Sequence, residues 1–240
     1  MNHFPETADI ETSSDEYARR FDGKVGEWFL KIQEQATLEM LAPYPNATVL
    51  DVGGGHGQLM GGLVRGGYRV TVLSSSEECK TRIRPYLDAG RADFQVGNIL
   101  DMPYPDKAFD VVISYRLLSH VTRWQEFLAE LARVAKKAVI LDYPEVRSVN
   151  SATPYLFRLK KRLESDAREF TCYRESELLR FFNELGFLKA GRYPEFFLPM
   201  MLHRKLKQRG LSAAAERLFR LTGLTNLFGS PVILKVVRDG

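Results

Sequence analysis

A chain of 240 residues, of which 45% are hydrophobic, can bury one sizeable core, so we expect one domain with elaborations. No apolar run approaches the ~18 residues of a membrane span, and the acidic start of the chain does not resemble a signal peptide. The net charge of +4 is modest. Two cysteines, Cys79 and Cys172, are too few for a disulfide framework or a structural zinc site. We therefore predict reduced thiols, no metal site and a cytoplasmic location.

The segment before the first strand predicts a disordered start and then a helical cap. We expect residues 1–12 to be disordered and one domain to cover residues 13–240. From Ser14 to Leu41, apolar residues such as Tyr17 and Trp28 recur at helical spacing, which predicts one or two amphipathic helices. Pro43 then breaks the pattern, so the cap covers residues 14–42.

Short apolar runs alternate with helical patterns over the core, residues 46–143. We predict strands over residues 47–50, 68–73, 92–96, 109–114 and 138–142. Helices are predicted from residue 58, over 77–87 and over 123–135. Such alternation indicates a parallel sheet with helices on both faces.

Residues 144–240 no longer alternate regularly between short strands and helices. A long connection over 145–170 contains a basic helical piece at 155–163, and a helix over 175–185 ends at Gly186. Strands are predicted over 187–193 and 232–237. Between them, residues 196–230 have helical periodicity, which predicts a helical insertion before the last strand.

The first predicted strand runs into Asp51-Val52-Gly53-Gly54-Gly55-His56-Gly57. Alternate glycines allow positive φ angles and a close approach of a ligand to the backbone. The dinucleotide pattern G-x-G-x-x-G would place its third glycine at Gln58, so a nicotinamide oxidoreductase is disfavoured. Asp51, before the glycines, suits a cationic ligand. This motif resembles motif I of the class I S-adenosylmethionine (SAM)-dependent methyltransferases.

Three later segments resemble further motifs of the same superfamily. Ser74 ends the second strand, where the family carries an acidic residue that bonds the ribose. The run from Gly97 to Asp110 resembles the family's adenine segment, with Asn98 in the acidic position and Ile99 beside it. The run Ile113 to Val121 resembles the segment after the fourth strand. Together the motifs cover about residues 47–142 and are most similar to the ubiquinone and menaquinone C-methyltransferase branch.

This resemblance implies an α/β fold with a doubly wound, mostly parallel seven-stranded sheet whose last two strands form an antiparallel hairpin. It implies S-adenosyl-L-methionine as cofactor, with a binding core over residues 46–143 and substrate-side elements over 144–240. The cofactor-binding residues it implies are Asp51, Gly53, Gly55, Gly57, Ser74, Asn98, Ile99 and Tyr115.

The catalytic group is left open by the sequence. Methyl transfer needs an acceptor aligned in line with the S–CH₃ bond, and a general base helps only if the acceptor must lose a proton. The candidates are His120, Tyr115 and Arg116. His120 is either such a base or a residue that fixes the turn, and Arg116 either pairs with an anionic acceptor or is solvated. We expect His56 and His203 to face solvent.

The helical insertion concentrates positive charge among phenylalanines and leucines. Between residues 201 and 223, Glu216 is the only acid, and the bases are Arg204, Lys205, Lys207, Arg209, Arg217 and Arg220. Such a stretch is typical of contact with an anionic membrane or a lipid-like acceptor, and equally of a solvated face of helices packed on the core.

We therefore predict a SAM-dependent methyltransferase acting on a small molecule, with a lipid-linked or amphipathic acceptor as one form of that prediction. A nucleic-acid substrate is disfavoured, since N/D-P-P-Y/W after the fourth strand and the aromatic platform of single-strand binders are both missing. The alternative is a catalytically inactive, methyltransferase-like binding or scaffold protein. Ser74 and Asn98, both in place of carboxylates, favour that alternative.

Overall fold

A computed structural model describes residues 4–148 and 171–240 of the chain. The predicted basic helical piece at 155–163 lies outside the described residues.

Seven strands form one sheet in the order β3-β2-β1-β4-β5-β7-β6. Neighbouring strands from β3 to β5 are parallel, and β7 is antiparallel to both β5 and β6. The predicted doubly wound, mostly parallel seven-stranded sheet is confirmed. The strands are β1 (Thr48–Val52), β2 (Arg69–Ser74), β3 (Ala92–Val96), β4 (Phe109–Ser114), β5 (Ala135–Tyr143), β6 (Phe187–Pro194) and β7 (Val232–Arg238).

The helices of the described ranges lie before, between and after these strands. Three precede the sheet, three connect β1 to β5, one leads into β6, and three separate β6 from β7. They are α1 (Ala8–Thr12), α2 (Asp15–Ala18), α3 (Gly23–Leu41), α4 (Met60–Arg65), α5 (Arg84–Asp88), α6 (Trp124–Val134), α7 (Glu175–Glu184), α8 (Met200–Leu206), α9 (Arg209–Leu221) and α10 (Leu224–Phe228).

The central strands are buried on both faces because helices cover both sides. Side chains alternate along each strand, so Leu50 packs in one hydrophobic cluster and its neighbour Val49 in the other. Helix α6 adds Phe127, Leu128 and Leu131 to the first cluster. This explains why β4 reads as a continuous apolar run rather than an alternating one.

The predicted helix over residues 77–87 is interrupted. The structure has a 3₁₀ turn at Glu77–Lys80 and a separate short helix, α5, with Pro85 in its first turn. Proline has no N–H to donate to the preceding turn and is tolerated only where a helix begins. Pro85 therefore starts α5 and prevents one continuous helix.

The expectation that residues 1–12 are disordered is wrong for the described part of that segment. Residues 8–12 form α1, in which Asp9 has no exposed surface and Thr12 is buried. The Glu6 carboxylate accepts hydrogen bonds from the backbone N–H groups of Thr122 and Arg123. Glu6 lies more than 100 residues from both partners in sequence, so the local composition could not predict these contacts.

The helical insertion lies where it was predicted, between β6 and β7. Helices α8, α9 and α10 occupy residues 200–228, and the two strands pair as an antiparallel hairpin around them. Within the described ranges, no helix combines the length and hydropathy required to cross a membrane.

We expect Leu131→Ala to lower the free energy of unfolding by about 2–5 kcal/mol, because it leaves a cavity in a fully buried cluster. Denaturant unfolding measures the change. Leu221→Ala is the matched control, since that side chain is 77% exposed and should change stability by less than about 0.5 kcal/mol. Equal effects of the two substitutions would contradict the assigned core.

Candidate cofactor and active site

The carboxyl ends of β1, β4, β5 and β6 meet at one edge of the sheet, because these four strands run in the same direction. Asp51 lies near the end of β1 and Asp142 near the end of β5, while Tyr115 follows β4 and Glu195 follows β6. Open α/β sheets bind ligands at this edge, where the strand order reverses. Here the reversal falls between β1 and β4.

The glycine motif forms a tight turn after β1. Gly53 (φ +77°) and Gly57 (φ +72°) are left-handed and enclose a 3₁₀ turn. A Cβ on Gly54 would lie 2.2 Å from the Asp51 carboxyl, and one on Gly55 would lie 2.5 Å from the Cys79 carbonyl oxygen. The protein's own packing therefore requires glycine at positions 54 and 55, apart from any close approach of a ligand.

Asp51 is 5% exposed, and burial raises the pKa of its carboxyl to about 7. It lines a small cavity beside the glycine turn, of about 10 Å³, which is close to the space of one water molecule. The cavity is lined by Thr12, Asp51, Gly53, Gly54, His56, Gln58, Leu59, Tyr115 and Arg116.

Several buried polar atoms around this cavity have no hydrogen-bond partner among the described residues. They are both ring nitrogens of His56, Oε1 of Gln58 and Nη1 of Arg116. Buried donors and acceptors are normally paired, so such a group calls for a bound ligand or water. Thr12 of α1 and the ring of Phe21, which packs on His56, show that α1 and the N-terminal cap together close this site.

Arg116 directs its side chain into this edge from an unusual backbone. Its φ of +59° is left-handed, and its N–H donates to the Asp142 carboxylate at 2.6 Å. The guanidinium donates to Gln33 Oε1 at 3.0 Å and lies 3.9 Å from the centre of the Phe21 ring. Asp142 thus holds the backbone of Arg116, while α3 and the cap hold its side chain.

Helix α3 contributes residues that sequence reasoning missed. Gln33 donates to Glu195 at 3.1 Å and to Asp142 at 3.5 Å, and Thr37 Oγ1 lies 2.6 Å from the Tyr115 hydroxyl. Gln33 and Thr37 are four residues apart, so they share one helix face. Two polar residues at this spacing on an otherwise apolar stripe were the available signal.

The two acids of this cluster, Glu195 and Asp142, have pKa values close to neutral pH. Burial raises the pKa of Glu195 to about 8, and the nearby Asp142 carboxyl adds to the rise. Burial also raises the pKa of Asp142 to about 6, against the opposing effect of its bond from the Arg116 N–H. A carboxyl with such a pKa can accept or release a proton near neutral pH, which suits acid–base chemistry.

The remaining residues of the predicted cofactor site lie at the ends of β2 and β3. Ser74 is fully buried at the end of β2. The Asn98 Oδ1 accepts from the Leu100 N–H and so closes its own turn. Ile99 is fully buried within the hydrophobic cluster that contains Leu50 and Leu73.

His56 and His203 differ from their predicted positions. His56 is half-buried between the rings of Tyr17 and Phe21, and burial lowers its pKa to about 3, so the expectation of a solvent-facing side chain is wrong. His203 is fully buried and bonds Glu216 at 2.9 Å, so the same expectation is wrong there. His120 lies in the 3₁₀ turn Leu118–His120, where its N–H bonds the Leu117 carbonyl.

Known proteins match this chain chiefly over the predicted binding core. A family model for a methyltransferase domain matches residues 50–141. Ajmaline N-methyltransferase of Rauvolfia serpentina is 34% identical over 88 residues, covering 34% of this chain and 30% of that enzyme. The ubiquinone/menaquinone biosynthesis C-methyltransferase of Cereibacter sphaeroides is 29% identical over 125 residues, covering 48% and 50%.

Among solved structures, magnesium protoporphyrin IX methyltransferase from Synechocystis PCC 6803, with bound S-adenosylhomocysteine, superimposes with a TM-score of 0.66 at 16% identity. The superposition covers 97% of this chain and 98% of that one. Residues 50–141 therefore match a methyltransferase domain. The resemblance carried by the four motifs is confirmed, and the methyltransferase domain spans the glycine turn, Ser74, Asn98 and Arg116. The matched region covers half or less of the two curated relatives.

We expect Glu195→Gln to stabilise the ligand-free protein more at pH 8 than at pH 5. The raised pKa of Glu195 means that the folded state binds the proton more tightly, so the stability present below about pH 4.5 is lost as pH rises through about 8. The glutamine amide keeps an acceptor for Gln33 but does not ionise.

Thermal unfolding of both proteins across pH 5–8.5 measures this effect. The difference between variant and wild type is the informative quantity, because His56, with its lowered pKa, contributes a slope of the opposite sign. A difference that does not change with pH would contradict the buried, ionisable state of Glu195.

Proposed function

We propose that this protein is a SAM-dependent methyltransferase with a small-molecule acceptor. The observation that carries the proposal is the shared edge, where the glycine turn after β1 and the polar cluster around Arg116 line one enclosed site. The site fits the cofactor because it combines a buried carboxyl, a glycine turn and unpaired donors, which match an amino group, a close backbone approach and a carboxylate. The bound cofactor supplies the electrophilic methyl group.

The chain's own residues divide this work by position. When the cofactor is bound, Asp51 would accept from its amino group, and Nη1 of Arg116, which has no partner among the described residues, would donate to its carboxylate. Tyr115 lines the cleft after β4, where Thr37 fixes its hydroxyl. Glu195 and Asp142 lie beside Gln33 at the same edge, where a carboxyl with a raised pKa would take a proton from a hydroxyl or amino group of the acceptor.

The activity is tested by transfer of isotope-labelled methyl from SAM. Purified protein is incubated with labelled SAM and a small-molecule extract, and mass spectrometry searches for metabolites that gain one labelled methyl group. SAM binding by calorimetry accompanies it. Binding without any labelled product would support the inactive alternative, and no binding would contradict the cofactor.

We expect Asp51→Asn to weaken SAM binding about 10- to 100-fold, since a charge-assisted hydrogen bond contributes about 1.5–3 kcal/mol. In the wild type, affinity should rise from pH 5.5 to 7, because a cationic ligand favours the ionised carboxyl. Calorimetry across this range measures both effects. The asparagine variant should lose the pH dependence, and an unchanged slope would assign the proton to another group.

The finer proposal concerns an amphipathic acceptor at an anionic membrane surface. Helix α9 buries Ser212 and Glu216 and leaves Leu211, Leu218 and Leu221 exposed. Glu216 faces inward, where it accepts from the Phe197 and Leu198 N–H groups. The apolar residues exposed in the insertion are Met201, Leu202, Leu206, Leu211, Leu218, Leu221, Leu227 and Phe228.

Exposed positive charge accompanies this apolar surface. Arg204, Lys205, Lys207, Arg209 and Arg217 are exposed, whereas the one acid of the segment is buried. An anionic bilayer complements both properties, since leucines enter the interface and each base near it contributes about 1 kcal/mol. The quinone-linked name of the Cereibacter sphaeroides relative is consistent with a lipid-like acceptor.

We expect the protein to co-sediment with vesicles of acidic phospholipid more than with neutral vesicles. Charge reversal at Lys205, Lys207 and Arg209 should weaken this by at least about tenfold and reduce its salt dependence, with SAM affinity unchanged. These lysines and this arginine are exposed, so the fold should be retained.

The matched control reverses Arg69, Arg84 and Arg91, which are exposed near the opposite, β3 edge of the sheet. This control should bind acidic vesicles as the wild type does. Equal loss in both variants would indicate a general charge effect, and no preference for acidic vesicles in the wild type would contradict the membrane proposal.

A further inference from the structure

The cofactor site lacks a carboxylate at the end of β2, where Ser74 stands, and the fold brings one there from elsewhere. Asp9 of α1 reaches the residue after Ser74 from 66 positions away in the sequence. Its carboxylate accepts from the Ser75 N–H at 2.6 Å and from the Ser75 hydroxyl at 2.5 Å. The acidic side chain is therefore fixed at the carboxyl end of β2.

Asp9 also lies beside the glycine turn. A Cβ on Gly53 would lie 3.4 Å from the Asp9 Cβ, and Thr12, one turn further along α1, lines the cavity that Asp51 lines. Asp9 thus occupies the corner between the end of β2 and the turn after β1. No carboxylate from β2 itself occupies this corner, because the strand ends in serine.

The segment that carries Asp9 is anchored on both sides of the site. Glu6 accepts from the Thr122 and Arg123 N–H groups after β4, while Asp9 bonds the end of β2. The chain therefore crosses the point where the strand order reverses, between β1 and β4. Two anchors on opposite sides hold α1 over the cofactor edge.

Asp9 has no exposed surface, and burial raises its pKa above its ordinary value, while the bonds from Ser75 oppose the rise. Burying an ionisable group is unfavourable unless partners compensate. An ionised carboxylate has about four lone-pair sites: Ser75 uses two of them, and the Cys79 thiol, a weak donor, lies 3.8 Å from Oδ2. The remaining site, together with the one that this weak donor occupies, matches a pair of neighbouring hydroxyl donors.

We propose that Asp9 supplies the carboxylate that binds the ribose hydroxyls of the cofactor, in place of a residue at the end of β2. The proposal rests on the proposed function, since it assigns a residue within that same cofactor site. It also assigns α1 a direct part in binding, in addition to covering the sheet.

The test is calorimetric titration with S-adenosylhomocysteine and with its 2′,3′-dideoxy analogue. Asp9→Asn should weaken binding of S-adenosylhomocysteine about tenfold or more, which is about 1.4 kcal/mol. The wild type should prefer the intact ribose, and the variant should lose that preference. Glu16→Gln is the matched control, because it makes the same charge change at an exposed position of the neighbouring helix α2 and should leave binding unchanged.

A rescue variant separates ribose binding from loss of α1 packing. Adding Ser74→Asp to Asp9→Asn returns a carboxylate to this corner without α1, so affinity and ribose preference should both recover. Wild-type protein that fails to bind would overturn the proposed function and this assignment with it. Binding that is unchanged or tighter in Asp9→Asn, with the wild type binding normally, would overturn the assignment of Asp9 alone. The same holds if the variant keeps its ribose preference.

Discussion

The pairing of Arg116 with Asp142 is the interaction around which the candidate site is arranged. A positive charge at the buried edge of the sheet is unfavourable unless acceptors surround it. Asp142 accepts from its backbone, Gln33 accepts from its side chain and the Phe21 ring lies over its guanidinium. These partners come from β5, α3 and the N-terminal cap, so a single residue joins three parts of the chain through its backbone and its side chain.

The N-terminal cap is therefore part of the site as well as a cover for the sheet. Phe21 of the cap contacts Arg116, and Tyr17 contacts His56 of the glycine turn, while Asp9 of the preceding helix α1 bonds the residue after β2. The cavity that remains has room for about one water molecule. A ligand as large as a nucleoside must displace part of this cap, so cofactor binding and cap position are coupled.

The insertion after β6 reverses the usual distribution of polar and apolar side chains. Glu216 lies inside, where it bonds His203 and two backbone N–H groups, while leucines of the same helix lie outside. His203 of α8 packs on Trp28 and Phe29 of α3 and on Phe196, which follows β6. The buried acid of this helix makes the bonds that hold the insertion in place, whereas its leucines stay exposed.

The sequence by itself determined which segments form strands and helices and where the glycine turn lies. These features depend on local periodicity and on backbone angles that few residues allow. Those patterns predicted the strands from residue 48 to 143, the end of α7 at Gly186 and the insertion before β7. Only the tertiary structure decided where Asp9, Gln33, Asp142 and Glu195 lie. Their roles depend on contacts across 26 to 162 residues. No local pattern encodes such contacts, because the position of a side chain in space is set by how whole elements pack.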